Sequence, residues 1–157
     1  MFGKLDKDEI EDVLAHQIIG RIGCNAFNTT YVVPISYAYD GEYIYCHTYE
    51  GLKIIMMRAN PNVCFEVDTM ENMANWKSVI GWGIFQELTN ESDLKIAIKK
   101  LYNRIIPEVA SKTLQLSPQW PFPPDNPEQV KGIVFRIQLY EKTGRFEKSE
   151  SQHFCGI

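Results

Sequence analysis

The sequence of 157 residues lacks the short motifs that mark the most common catalytic and nucleotide-binding sites. It contains no G-x-G-x-x-G segment after a first strand and no Walker loop, so the two common helical phosphate cradles are absent. A G-x-S-x-G nucleophile elbow, an H-E-x-x-H pair and closely spaced Cys and His ligands are missing too. Standard hydrolase and zinc-enzyme functions therefore have no motif in their favour, and no metal site is expected.

Long apolar runs and an excess of positive charge are also missing. No stretch approaches the roughly 20 residues of a membrane span, and residues 1–12 do not form a signal peptide, so we expect a cytoplasmic protein without membrane contact. The formal net charge of −4 would repel a nucleic-acid backbone. An anionic ligand must then be held by a few local cations and backbone donors.

Cysteine is sparse, and no two cysteines are close enough in sequence to form a C-x-x-C pair. Three of the four lie in apolar, strand-like runs: Cys24, Cys46 and Cys64. The fourth, Cys155, lies near the end of the chain. This distribution predicts reduced, mostly buried thiols.

Runs of β-branched and aromatic residues predict a mainly β protein. Six strands are predicted, at residues 18–24, 30–39, 43–47, 63–68, 77–88 and 132–140. Asn28 and the Asp40-Gly41 pair mark turns between neighbouring strands. Because most connections are short, we expect antiparallel pairing, and a curved antiparallel sheet of this size tends to close into a barrel. Gly81 and Gly83 fall where a bulge or a close backbone approach would suit a missing side chain.

Helices are expected only at the periphery of this sheet. The N-terminal helix lies within residues 1–17 and begins with an Asp6/Glu9 capping box. A second helix covers residues 51–58, and a third follows Asn90 and ends before Pro107. A proline-rich loop at residues 117–128 and a flexible tail at residues 143–157 complete a single domain over residues 1–157.

One dense segment, TYVVPISYAYDGEYIYCHTYEGLKIIMMRANPNVCFEVD, places Lys53 in the first turn of the second helix. A helix start offers unpaired backbone donors and the positive end of the helix dipole, and a lysine there adds a full charge, which suits a phosphate group. His47, at the end of the preceding strand, is expected nearby. The alternative is that Lys53 is a solvated lysine and His47 a surface histidine.

This segment resembles the FMN-binding split-barrel proteins related to pyridoxamine 5′-phosphate oxidase, particularly the branch that includes nitroimidazole-resistance proteins. The resemblance rests on VPISY, YIYCHTYEGLK, NPNVCFEV and WKSVIGWG, in this order and at these separations. It covers residues 17–88 well and the following helix loosely. The resemblance implies a six-stranded antiparallel split β-barrel of the FMN-binding type, working as a homodimer with FMN at the subunit interface.

The resemblance also assigns roles to individual residues. Lys53 would meet the FMN phosphate, Ser78 would donate its hydroxyl to the cofactor, and His47 and Thr48 would lie along the ribityl-phosphate side. The isoalloxazine edge would be lined, partly by backbone groups, by Pro34, Ile35 and Ser36. Candidates for completing the pocket from the second subunit are Trp82, Trp120 and Phe122. On the simpler alternative, Ser78 is an ordinary outward-facing residue and Trp82 belongs to the core.

The function implied is an FMN-dependent oxidoreductase that reduces small electron-poor molecules with electrons from NAD(P)H. A flavin carries the redox chemistry itself, so the protein needs no catalytic acid or base, and no catalytic residue is assigned. Vitamin B6 synthesis is not expected, because Arg145-Phe146 and the polar tail do not match the basic C-terminal segment of the true oxidases. The alternatives are a non-enzymatic flavin- or haem-binding or sensing protein, with His16, His47 and His153 as the possible imidazole ligands, and a cofactor-free interaction domain.

Overall fold

The computed structural model describes residues 1–104 and 127–149. In chain order the elements are β1 (Phe2–Lys4), α1 (Lys7–His16), β2 (Ile19–Ala26), β3 (Thr29–Ser36), β4 (Ala38–Tyr39), β5 (Tyr43–Thr48), α2 (Leu52–Ala59), β6 (Asn62–Asn72), β7 (Asn75–Glu87), α3 (Glu91–Asn103) and β8 (Ile133–Lys148). A single 3₁₀ turn, Pro127–Gln129, precedes β8. In these two ranges, no helix has the length and apolar character that crossing a bilayer requires.

Local sequence signals form the caps and turns that were predicted from them. The Asp6 carboxylate accepts a hydrogen bond from the Glu9 amide at 2.9 Å, and the Glu9 carboxylate accepts one from the Asp6 amide at 3.1 Å, which completes the capping box at α1. Between β4 and β5, Gly41 takes a positive φ of 99°. The Asp40 carboxylate there accepts from the Tyr43 amide at 2.8 Å. These contacts span at most three residues, so the sequence alone specifies them.

All strands belong to one antiparallel sheet, ordered β3-β2-β6-β7-β8-β5-β4, with β1 paired to β8. The two ends of this order, β3 and β4, are consecutive in the chain and are separated only by Tyr37. Because one residue joins the two edge strands, the sheet must curl back on itself. The result is the mainly β, antiparallel split barrel that the sequence predicted.

The barrel interior is filled by residues that alternate along each strand. The largest fully buried side chains include Phe65, Ile22, Ile44, Tyr37 and Phe135. A second, smaller apolar cluster joins α3 to the outer side of β4, β5 and β8, and is formed by Ala38, Tyr45, Leu88, Ala97, Ile98, Leu101 and Val134. The helix α3 therefore packs outside the barrel, as expected.

The prediction of six strands was wrong, because the sheet has eight. The run at residues 30–39 divides at Tyr37, whose amide donates to the Ile18 carbonyl at 3.0 Å before the chain leaves β2 and pairs with β5. The extra strand β1 pairs with the far end of β8, with Phe2 opposite Glu147. Both features depend on pairing partners that are distant in sequence.

The prediction of a flexible tail at residues 143–157 was wrong for residues 143–148. They continue β8, with Arg145 opposite both Ser78 of β7 and Lys4 of β1. These residues are mostly polar because this end of β8 is partly exposed. They form a strand because they pair with both β7 and β1, and not because of their own apolar content. Residues 150–157, with Cys155 and His153, lie outside the described residues.

A bulge and three free thiols were predicted correctly. The register of β7 against β8 shifts between Trp82 and Gly83, where a Cβ on Gly83 would lie 2.5 Å from the Gln138 carbonyl oxygen. Cys24 and Cys46 are buried and Cys64 is half-buried, and all three are free.

The described part of α3 ends at Asn103. The proline-rich loop up to residue 126, with Trp120 and Phe122, lies outside the described residues.

Candidate functional site

Lys53 lies in the first turn of α2, where the sequence predicted it. The N-cap residue Gly51 supplies no side-chain hydrogen bond, and its carbonyl accepts from Ile54 and Ile55. The amides of Leu52 and Lys53 are therefore left without an intrahelical acceptor, as at any helix start. The Lys53 side chain is half-buried and forms no ion pair within the described residues. This helix start thus offers two backbone donors and one uncompensated cation to an anion.

The acidic residue next to this helix start is already engaged. Glu50 accepts a hydrogen bond from the Arg58 guanidinium at 2.5 Å, and Arg58 also binds Glu87 through two contacts of 2.8 Å. These hydrogen bonds from Arg58 lower the pKa of Glu87. Because one arginine is shared by two carboxylates, the triad keeps a net negative charge. An anion at the start of α2 therefore depends on Lys53 for its charge compensation.

His47 and Thr48, at the end of β5, are buried. Their exposed fractions are 1% and 3%. The His47 Nε2 atom donates to the Lys131 carbonyl, and a Cβ on the neighbouring Gly132 would lie 2.6 Å from the Thr48 carbonyl oxygen. These side chains pack the junction of β5 with β8 in this conformation. Their predicted contact with the ribityl-phosphate side of a cofactor stays a prediction.

Four of the remaining predicted residues, Pro34 and Ser36 of β3 and Ser78 and Trp82 of β7, share one outer face of the barrel. The strand registers arrange this face in lateral rows, one running through Pro34, Arg21, Glu66 and Ile80, and the next through Val32, Gly23, Cys64 and Trp82. Ser78 pairs with Asp68, two residues from Glu66 on the side away from Cys64. Pro34 and Ser36 at one edge are thus three strand spacings, roughly 14 Å, from the β7 residues. This distance is spanned by the outer face of β2 and β6.

A polar network crosses the middle of this outer face. Arg21 donates from Nη1 to Glu66 at 3.0 Å and to Asp68 at 2.7 Å, and Ser78 donates to the other Glu66 oxygen at 3.0 Å. Arg21, Glu66 and Asp68 were not predicted as site residues, because no local spacing connects Arg21 of β2 with the two acids of β6. Only the alternation of polar and apolar residues in β6 could have placed its two acids on the outside.

The three consecutive residues Pro34, Ile35 and Ser36 do not present the same surface. Pro34 is exposed and Ser36 half-buried on the outer face, whereas Ile35 is 8% exposed and points into the barrel core. Side chains in a strand alternate between faces, so Ile35 can offer a ligand only its backbone groups. One side of that backbone pairs with β2, and its other side is an edge of the sheet because β3 ends the strand order.

Apolar side chains surround the polar network on the outer face. Val32, Ile19 and Ile80 are 63%, 56% and 36% exposed, and the Trp82 indole is half-buried beside them. The alternative that Trp82 belongs to the barrel core is not supported, because it lies in the outer row opposite Cys64. This face can therefore cover an apolar ring or a second protein surface.

The sequence matches a known protein family over most of its length. The family model described as pyridoxamine 5′-phosphate oxidase matches residues 6–146. The chain belongs to the pyridoxamine 5′-phosphate oxidase family. Family and fold were therefore both predicted correctly from the resemblance of residues 17–88.

Proteins similar to this chain in sequence and structure include one described as FAD-binding. An uncharacterized protein of Rhizobium meliloti is 30% identical over 148 residues, which cover 90% of this chain and 92% of that protein. The structure of an FAD-binding protein of Mesorhizobium loti superposes with a TM-score of 0.71 at 29% identity, covering 94% of this chain and 99% of that chain.

A likeness in fold extends to the branch named by the sequence resemblance. A candidate 5-nitroimidazole antibiotic resistance protein of Bacteroides thetaiotaomicron has a TM-score of 0.69 at 18% identity, covering 93% of this chain and 87% of that chain. At this identity the similarity shows the shared fold. The substrate of the present protein has to be inferred from its own residues.

Proposed function

We propose that the protein binds the flavin nucleotide FMN and reduces small electron-poor molecules with electrons from NAD(P)H. The observation that carries the proposal is Lys53, a cation without an ion-pair partner in the described residues, at a helix start in a chain of the pyridoxamine 5′-phosphate oxidase family. A bound flavin supplies the redox chemistry, because it accepts a hydride from NAD(P)H and returns two electrons to an acceptor. The proposal is further supported by the FAD-binding protein of Mesorhizobium loti at 29% identity.

The residues at the start of α2 suit the charged end of the nucleotide. The Lys53 ammonium would pair with the phosphate, while the amides of Leu52 and Lys53 would donate to its oxygens. Glu50 does not block this arrangement, since its carboxylate is held by Arg58. Lys53 thus orients the nucleotide by its phosphate and leaves the ring free to contact another surface.

The outer face suits the flavin ring and a second copy of the chain. Its apolar rows, with Val32, Ile80 and Trp82, would cover one side of an aromatic ring, and the β3 backbone near Ser36 would hydrogen-bond its edge. Exposed apolar surface of this kind is rare on monomers and marks interaction sites. We therefore propose a homodimer through this face, with Trp82 and Trp120 of one subunit next to the cofactor of the other.

A visible spectrum and a flavin titration test the cofactor. We expect purified protein to be yellow, or to quench FMN fluorescence with one flavin per chain after mild removal of its own cofactor. Chromatography of the released flavin separates FMN from FAD, and recovery of FAD would correct the proposed nucleotide. Colourless protein that leaves the fluorescence of added FMN and FAD unchanged would rule out the proposal.

Turnover separates an oxidoreductase from a flavin-binding module. Flavin-loaded protein is mixed anaerobically with NADH or NADPH and then with a quinone or a nitroaromatic acceptor, and absorbance is followed over many cycles. We expect repeated oxidation of the nicotinamide at the flavin-loaded protein and none with the protein stripped of flavin. Tight flavin binding without turnover would identify a storage or sensing protein instead.

A charge placed on the outer face tests the dimer. Val32→Glu would bury a carboxylate in the proposed interface, which costs several kcal/mol unless it is paired, so we expect a monomer in sedimentation experiments. The matched control is Ile96→Glu, because Ile96 is 46% exposed on α3, away from this face. A monomeric wild-type protein, or a Val32→Glu variant that dimerises like wild type, would contradict the assignment.

A further inference from the structure

The outer face of the barrel continues from β7 across β8 and β1, and one row of side chains on it has opposite charges at its two ends. The strand registers place Asp68 of β6, Ser78 of β7, Arg145 of β8 and Lys4 of β1 side by side. Directly opposed residues of antiparallel strands point to the same side of a sheet, so these four side chains belong to one surface. This charged row begins with an acid and ends with two bases.

Arg145 and Lys4 form the positive end of the charged row. They lie directly opposite each other, both are exposed, and neither forms an ion pair with another described residue. Like charges opposed in this way destabilise a strand pair. Two residues along β8, Glu147 accepts a hydrogen bond from the Trp76 indole at 3.1 Å, and Glu141 lies in the other direction, roughly 13 Å along the strand. Two cations beside one carboxylate leave this end with an excess of positive charge.

The negative end of the charged row belongs to the polar network around Arg21. This arginine is shared between Glu66 and Asp68. Two carboxylates therefore face one guanidinium, and one negative charge is left in excess. The Glu66 and Asp68 side chains are 29% and 32% exposed, so a second molecule can reach both. The outer face thus has negative charge on β6 and positive charge on β8 and β1.

Exposed apolar side chains flank the charged row on both sides. On one side, Met70 and Phe2 are each 66% exposed, and the Phe2 ring meets the Trp76 indole edge-on with 5.8 Å between the ring centroids. On the other side lies Ile80, 36% exposed, which belongs to the face proposed for the dimer. The charged row is therefore continuous with that face. Apolar surface of this kind marks an interaction site, and it strengthens charge pairs by excluding water from them.

We propose that the charged row pairs with the same row of a second copy of the chain, with Arg145 and Lys4 of one protomer against Asp68 of the other. A dimer with two-fold symmetry brings the same patch of both subunits together, so each such contact occurs twice. A row with an acid at one end and bases at the other is complementary to itself after a rotation of 180°. Ser78, midway between Asp68 and Arg145, would lie near the axis. This inference rests on the proposed homodimer and adds which residues meet in it.

A second copy fits the charged row better than another kind of partner. A polyanion such as a nucleic acid would be attracted by Arg145 but repelled by the excess negative charge on β6, and a basic protein would meet the reverse problem. Within one chain, Asp68 and Arg145 are two strand spacings apart, roughly 10 Å, and Asp68 already accepts from Arg21 at 2.7 Å. The same chain turned by 180° matches both ends of the row at once.

Charge reversal at either end of the row tests this pairing in sedimentation velocity experiments. Arg145→Glu and Asp68→Arg should each raise the dissociation constant of the dimer at least about 100-fold, because each replaces two attractive contacts per dimer with two repulsive ones. The matched control is Lys99→Glu, the same change of charge at an exposed position of α3, which should change the constant by less than about twofold. Melting temperatures close to that of wild type establish that the variants are folded.

A mixture of the two charge-reversed variants provides the decisive comparison. In a heterodimer of Arg145→Glu with Asp68→Arg, one contact is the native pair and the other is the same pair with its charges exchanged, so both contacts attract. We therefore expect equimolar mixing to restore a dimer whose dissociation constant is within about tenfold of the wild-type value. A folding defect in either variant could not be repaired by mixing.

Two results would overturn this pairing while leaving the dimer face to the Val32→Glu test. One is a mixture that stays monomeric, and the other is a pair of single variants that dimerise like wild type. A monomeric wild-type protein would remove the proposed dimer and this pairing together. None of these measurements needs a flavin, so protein that binds no flavin would refute the proposed cofactor, and sedimentation would still decide the pairing.

Discussion

Replacing Lys53 with methionine should weaken the binding of FMN and leave the binding of riboflavin unchanged. Methionine keeps most of the apolar stem of lysine and removes its charge, so α2 keeps its packing while the helix start loses its cation. Riboflavin has the same ring and ribityl chain as FMN but no phosphate. The difference between the two ligands therefore isolates the interaction of Lys53 with the phosphate.

The size of the effect follows from the exposure of Lys53. A unit charge pair 4 Å apart interacts by about 1 kcal/mol in water and about 4 kcal/mol near a protein surface. Lys53 is half-buried and forms no ion pair within the described residues, so a value of about 1.5–3 kcal/mol is expected, as for other hydrogen bonds to charged groups. This corresponds to an increase of about 10- to 150-fold in the dissociation constant for FMN.

Fluorescence quenching of both flavins measures the two dissociation constants for wild type, Lys53→Met and the control Lys99→Met. The Lys53→Met effect on FMN should shrink as salt is added, because a half-exposed charge is screened. The double variant Lys53→Ala with Ser78→Ala should release FMN altogether. An equal loss of FMN and riboflavin affinity in Lys53→Met, or no loss of either, would show that Lys53 does not meet the phosphate.

Three further predictions concern the barrel that carries the site. Tyr37→Phe removes the hydroxyl that donates to the buried Leu14 carbonyl at 2.7 Å, so unfolding experiments should show a loss of about 1–2 kcal/mol and a melting temperature lower by roughly 3–6 °C. Burial raises the pKa of Tyr37, Tyr39 and Tyr45. Above pH ~10 the folded state therefore keeps these phenolic protons while the unfolded chain releases them. The free energy of unfolding measured with urea should fall as the pH rises above this value. Burial raises the pKa of the Cys46 thiol to about 12, so peptide mass spectrometry should find it unmodified by iodoacetamide at pH 8 until the protein is unfolded. Tyr37→Phe as stable as wild type, stability that does not fall above pH ~10, or rapid labelling of native Cys46 would each contradict the corresponding assignment.

Sequence patterns succeeded where the deciding contacts are local. The capping box of Asp6 with Glu9 and the turn at Asp40-Gly41 involve residues at most three positions apart. The run at residues 30–39 was predicted as one strand, which is wrong, because the break at Tyr37 comes from a hydrogen bond to Ile18, just before β2. The polar end of β8 was predicted to be a tail for the same reason. It is a strand because it pairs with β7 and β1, which are distant in sequence.

The sequence by itself determined the mainly β fold, the family and the position of Lys53 at a helix start, because each of these follows from short-range periodicity or from a contiguous segment of matching residues. Only the tertiary structure decided that His47 is buried under the Lys131 carbonyl, that Arg21 links Glu66 to Asp68, and that the Arg104 guanidinium is left without a partner. The physical reason is that burial and charge pairing depend on every element packed around a group. Strand register and helix docking bring these elements together from positions more than 40 residues apart.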